Sequence, residues 1–178
     1  MKKRILFGIL LLLSIFTLTA CGDKKDNSEK EETKQEEKKV DETLFTINKL
    51  DFHLDNETEF KGIKYTISKD FQEAIYDQYV QYNYYQEDNT NLLFFRVFYY
   101  ENKDIKHVLK DLGLEENISL TEGKTDNIEY KFYETPRDDG GTIHFYIITK
   151  DKNIYVINFV SKYNIKEFED KEIKTIKF

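Results

Sequence analysis

Leu92-Leu93-Phe94-Phe95-Arg96-Val97-Phe98-Tyr99-Tyr100 is the stretch whose reading decides the fold. Side chains alternate across a strand, so Leu92, Phe94 and Phe98 fall on one face and Leu93, Phe95, Val97 and Tyr99 on the other. Both faces are apolar, which marks a strand covered from both sides. Immediately upstream, Val80 to Gln86 reads as its antiparallel neighbour, with Glu87-Asp88-Asn89-Thr90 as the polar turn between them.

Working outward, the rest of the chain from Leu44 keeps a globular pattern. Leu44–Ile47 and Gly62–Ile67 alternate as strands with one buried face. Asp70 and Glu73 have capping-box spacing, with Phe71, Ala74, Ile75 and Tyr79 at roughly helical offsets, so a short helix is predicted after Ser68. Ile105, Val108, Leu109 and Leu112 define one helical face, stopped at Gly113. Strands are predicted over 128–134, 142–149 and 154–161, the first two joined by the turn Pro136–Gly141. Asn164 and Glu167 pair as a cap for a last helix through Ile165, Phe168 and Ile173. The reading is α+β: an antiparallel sheet flanked by helices, in one domain over residues 44–178.

Ahead of that domain the chain has two further segments. Residues 1–21 begin Lys2-Lys3-Arg4 and continue as an apolar run to Ala20, shorter than a stable membrane span and followed at once by charge. Residues 22–43 hold nine acidic residues and six lysines with the lone apolar Val40. Such a segment cannot fill a core and is expected to be a solvated, disordered tether.

The residues closing the first segment, Leu18-Thr19-Ala20-Cys21, resemble the lipobox of bacterial lipoprotein precursors. The resemblance implies that the Cys21 thiol receives diacylglycerol, that the Ala20–Cys21 bond is cut, and that lipid on Cys21 holds the protein at the membrane. Two acyl chains give stable residence where one gives marginal binding. Cys21 is the single cysteine, so the fold must be stable without an intrachain disulfide. A second resemblance is carried by Gly62-Ile63-Lys64-Tyr65-Thr66-Ile67-Ser68, by the passage Phe94–Leu112 and by the closing Ile176-Lys177-Phe178. Over roughly residues 57–178 this order is similar to the PsbP-like family, and it implies an antiparallel sheet with helices on both faces.

Charge and motifs bound the function. Loss of the three N-terminal cations takes the formal charge from −7 to −10. A surface that acidic disfavours nucleic acid, whose affinity comes from phosphate neutralisation by Lys and Arg, and disfavours adhesion to anionic lipid. His53, His107 and His144 lack ligand spacing, and no cysteine remains to complete a zinc site, so no metal or other cofactor is expected. No nucleophile motif or phosphate loop is present. Asp138-Asp139-Gly140-Gly141 reads as a hairpin turn or a calcium loop. The unusual feature is the aromatic concentration from Tyr76 to Tyr100, read either as core and sheet surface or as a binding face made of Tyr82, Tyr84, Tyr85, Tyr99 and Tyr100.

The expectation is a membrane-anchored lipoprotein facing away from the cytoplasm, in the wall zone of a Gram-positive cell by its Lys-, Asn- and Ile-rich usage. Its domain is expected to bind a protein or wall polymer rather than to catalyse. A wall-associated hydrolase using carboxylates and a spacer without a dedicated ligand are the alternatives.

Overall fold

The computed structural model describes residues 41–87 and 90–178. The signal segment, the lipobox with Ala20 and Cys21, and nearly all of the tether therefore lie outside the described residues. Asp41 to Thr43, grouped with the tether on composition, already form the first turn of the domain: Asp41 accepts from the Thr43 backbone N–H at 2.9 Å and from its hydroxyl at 2.7 Å.

In chain order the elements are β1 (Leu44–Ile47), β2 (Leu50–His53), β3 (Asn56–Phe60), β4 (Ile63–Ile67), β5 (Gln72–Asp77), β6 (Val80–Glu87), β7 (Thr90–Tyr100), α1 (Ile105–Asp111), β8 (Thr121–Lys124), β9 (Glu129–Pro136), β10 (Thr142–Lys150), β11 (Asn153–Ser161) and α2 (Lys166–Thr175). Seven strands form one antiparallel sheet in the order β5-β6-β7-β11-β10-β9-β8. Two separate hairpins, β1-β2 and β3-β4, hold the other strands of the described residues. Both close on two-residue turns with positive φ, at Asn48-Lys49 and at Lys61-Gly62, the backbone a tight right-twisted hairpin requires.

The expected α+β architecture, with helices flanking the sheet in the PsbP-like manner, is therefore corrected. Among the described residues eleven strands stand against two helices of seven and ten residues, and the fold is β-rich. On one side of the large sheet the cover comes largely from the two hairpins. Phe45, Ile47, Phe52, Ile63, Tyr65 and Ile67 pack there with Phe168 and Ile173 of α2 against Leu93, Phe95, Ile157 and Phe159. On the other side Val108 and Leu109 of α1 pack on Phe145, Ile147, Ile154 and Val156.

The sheet follows the alternation of its central stretch. Leu93, Phe95 and Val97 are each 0% exposed, whereas Phe94, Arg96 and Phe98 on the opposite face are half-buried. Phe95 packs its ring on Tyr65 at 5.0 Å and on Phe159 at 5.1 Å. Burying such a ring stabilises the fold by ~1.5–3 kcal/mol, so this face is the main source of cohesion.

The helix predicted after Ser68 is a strand. Asp70 and Phe71 lie in a turn closed by Phe71 N–H donating to the Ser68 carbonyl at 3.0 Å. Residues 72–77 then pair with β6, Gln72 opposite Tyr84 and Ala74 opposite Tyr82. Two helical turns are too short to hold without packing, and Ala74 and Ile75 are exposed, so strand pairing prevails. The remaining expected elements form, and β2, β3 and β8 are additional to them. Gly113 has φ of +74° and ends α1 as expected.

Candidate functional site

The site grows from the pairing of β10 with α2. On β10, His144, Tyr146 and Ile148 alternate toward the hairpin-covered side of the sheet, and His144 stands opposite Phe159 on β11 and Glu134 on β9. Helix α2 docks through Phe168, whose ring lies 4.7 Å from Phe45 and 5.7 Å from Phe159. A helix buries neighbours on one stripe, so inserting Phe168 and Ile173 also turns Glu169 and Glu172 inward. Two carboxylates thus enter the interior on the buried face of a ten-residue helix.

Glu169 is 1% exposed and is met by two donors. His144 Nδ1 lies 2.7 Å from its Oε2, and the Tyr146 hydroxyl donates to its Oε1 at 2.5 Å. A buried carboxylate keeps its charge only when matched in this way. The Glu169 hydrogen bond holds the His144 pKa above its ordinary value, against the opposing effect of burial. Burial first, and then Glu169, pushes the Tyr146 hydroxyl up, so it stays a donor. On its other nitrogen, His144 Nε2 faces Glu134 Oε2 at 3.7 Å.

The backbone behind His144 is braced through the sheet. Asn158 is fully buried, donates from Nδ2 to the His144 carbonyl at 3.0 Å, and accepts from Arg96 Nε at 2.7 Å. Arg96 in turn lies over the rings of Tyr82 and Phe98, 6.0 and 5.7 Å from their centroids. The imidazole is therefore fixed by its ring contacts and by its main chain.

Beside this network runs a groove. One hollow of about 300 Å³ is lined by Tyr130, Phe132, Glu134, His144, Lys166 and Asp170 among others. A second, of about 330 Å³, runs from His144 and Lys166 to Gly141, Ser161, Lys162 and Tyr163. The two share His144 and Lys166 and so meet at the network. A larger hollow of about 520 Å³ crosses β8 and β9, floored by Ile147 and rimmed by exposed Glu122, Lys124, Glu129 and Lys131. It touches none of the buried polar network, so the groove at His144 is the better candidate.

The five tyrosines expected to form a binding face do not share one. Tyr82 and Tyr84 lie opposite Arg96 and Phe94, on the same side as Tyr100, whose hydroxyl is pushed up to about 12 by burial. Tyr85 and Tyr99 point to the other side. Tyr85 packs on Phe52 at 4.8 Å, and Tyr99 on Tyr155 at 5.2 Å. The Pro136–Gly141 segment is a hairpin turn in which Asp139 accepts from Arg137 Nε at 2.9 Å and Nη2 at 2.7 Å. Among the described residues, no group of three or more His, Cys, Asp and Glu could hold a metal ion. His53 and His107 pair locally with Asp41 and Asp111, at 3.5 and 3.3 Å.

Sequence reasoning missed His144, Tyr146 and Glu169 as a unit. The alternation of His144 with Tyr146 was the available signal, but it does not identify a partner 25 positions away. It also missed Glu172, which is fully buried with both carboxylate oxygens lacking a hydrogen-bond partner. Burial pushes its pKa well above the usual carboxylate range. Gln81 Oε1 and Asn83 Oδ1 are likewise buried without a donor, and Asn83 Nδ2 donates to the Tyr65 hydroxyl at 3.2 Å.

No protein-family model matches the chain, and no curated protein matches it. Among solved structures, a crystal structure at 1.50 Å resolution from Bacteroides thetaiotaomicron VPI-5482 is similar at 17% identity and a TM-score of 0.47, covering 65% of this chain and 44% of that one. This chain therefore spans less than half the length of that protein, and a likeness so partial says nothing about ligand or chemistry.

Proposed function

We propose that the chain is a bacterial lipoprotein, cut at Ala20–Cys21 and held outside the cytoplasmic membrane by lipid on Cys21. Its β-rich domain is a non-catalytic binding module whose ligand, a wall polymer or a protein partner, occupies the groove at His144. The observation that carries the binding role is the floor of that groove, where His144, Tyr146 and Glu169 are locked in one arrangement by contacts of 2.7 and 2.5 Å. Ordering of that kind lowers the cost of engaging a ligand. Leu18-Thr19-Ala20-Cys21 supports the anchor, and among the described residues no helix is long and apolar enough to cross a membrane.

The test uses the full chain in its membrane, with a photo-reactive residue in place of Phe132 or, as control, Ile75, which is 65% exposed. Adducts with wall glycan or with one defined protein should form from position 132 and not from 75. Equal labelling from both positions would sink the groove as the ligand site. For the anchor, Cys21→Ser should abolish incorporation of labelled lipid, and continued labelling would refute it.

The His144–Glu169 contact also favours a second reading, a hydrolase acting on extracellular material. A carboxylate that fixes Nδ1 leaves Nε2 toward the groove, the arrangement of an oriented acid or base. Turnover of a wall polymer that is lost in His144→Gln, with binding retained, would establish it over the binding module.

A further inference from the structure

We propose that the groove is built for a linear glycan carrying free amino groups, lying from Tyr130 past His144 toward Tyr163. The proposal rests on the groove being the ligand site and adds the class of ligand. Its first support is shape: the two hollows of about 300 and 330 Å³ join at His144 and Lys166, so the site is a trough rather than a cup. A trough suits an extended polymer.

The second support is the wall. Tyr130 and Phe132 stand two residues apart on β9, so their rings project to the same side with a spacing of ~7 Å. Both are half-buried and backed by Tyr146, Tyr130 edge-on at 4.9 Å and Phe132 tilted at 5.0 Å. The Tyr130 ring lies directly over Gly123, where a Cβ would meet ring carbons at 2.4 Å; glycine at that edge-strand position is what lets the ring lie there. Sugar rings offer an apolar C–H face and a hydroxyl edge. An aromatic wall beside carboxylate and lysine groups matches both.

The third support is charge. Glu169 is matched by His144, and Asp170 by Lys166. Glu122 and Glu134 also line the Tyr130 end of the trough, and Glu134 only shares the His144 charge from 3.7 Å. The hollow at the Tyr130 end thus carries four carboxylates against His144 and Lys166. Lys162 joins the lining only at the Tyr163 end, so the excess is one negative charge over the whole trough. It is concentrated at the Tyr130 end, where it favours an ammonium group over an acetamide.

The test measures binding of the full chain, purified in detergent at about pH 6, to glucosamine hexamer, N-acetylglucosamine hexamer and hexalysine. Glucosamine hexamer should bind about tenfold tighter than the acetylated hexamer and tighter than hexalysine, with the preference shrinking in about 0.5 M salt. Glu134→Gln, at a side chain 65% exposed and so harmless to folding, should remove most of that preference. Phe132→Ala should weaken both glycans, and Tyr79→Ala, remote from the groove, neither. Equal binding of the two glycans overturns the amine selectivity while leaving a glycan groove. Binding of neither, or tighter binding of hexalysine, overturns the glycan itself. The groove as ligand site stands or falls separately, on cross-linking from position 132.

Discussion

His144 Nδ1 stands 2.7 Å from Glu169 Oε2, joining β10 to α2. The same carboxylate takes the Tyr146 hydroxyl at 2.5 Å, so one buried anion is answered by two donors from one face of one strand. The contact fixes the start of α2 over the sheet and sets the floor of the groove.

Removing the anion should therefore cost stability as well as order. Glu169→Gln leaves an imidazole and a phenol facing a neutral amide, and breaking a buried charge pair costs ~3 kcal/mol. Urea denaturation of the variant should show a lower midpoint with an unchanged slope. A midpoint equal to that of the wild type would show that the pair contributes nothing.

The His144 pKa is raised in the folded state, so the folded chain holds its proton more tightly than the unfolded chain. The contribution is complete below the unfolded pKa of about 6.5 and is lost as pH rises through the folded value. The imidazole resonance followed by NMR should titrate above 6.5. His144→Gln should flatten stability against pH in that window.

Glu172 gives a second trend of the same sign. Its folded pKa is raised by burial, so it is protonated in the fold where the unfolded chain would release the proton. Its stabilisation is complete below about pH 4.3 and declines as pH rises through the folded value. Glu172→Gln should be more stable than wild type near pH 8 and should lose that advantage near pH 4. Thermal melts at the two pH values read the difference, and a constant offset would count against a buried neutral acid.

Neighbouring tyrosines should behave oppositely because they face opposite sides of β6. Tyr85 packs on Phe52 and Phe71, at 4.8 and 6.2 Å, and Tyr85→Ala should destabilise by ~2–4 kcal/mol. Tyr84 rests on the half-buried Phe94 at 6.0 Å, and Tyr84→Ala should cost ~1 kcal/mol or less. Equal losses would mean that both faces of this hairpin are core.

The strands of the large sheet were legible where apolar positions alternate over many residues, as in Leu93, Phe95 and Val97, and α1 and α2 where they recur at helical spacing. The short strands were not. Asn56–Phe60 and Thr121–Lys124 bury at most one side chain fully, and their place is set by partners rather than by their own pattern. The 72–77 segment was misread because Asp70 and Glu73 mimic a cap, while the pairing that makes it a strand comes from β6. The site was illegible because Glu169 sits in Lys166-Glu167-Phe168-Glu169-Asp170-Lys171-Glu172, a run whose composition is that of a solvated face. Only the insertion of Phe168 turns it inward.

The groove as ligand site is tested most directly by following backbone and imidazole resonances of the isotopically labelled full chain while soluble wall glycan fragments are added. The account predicts shifts confined to Tyr130, Phe132, His144, Tyr163 and the first turn of α2, saturating together. Shifts centred instead on Tyr82, Tyr84 and Arg96, across the sheet, would contradict it.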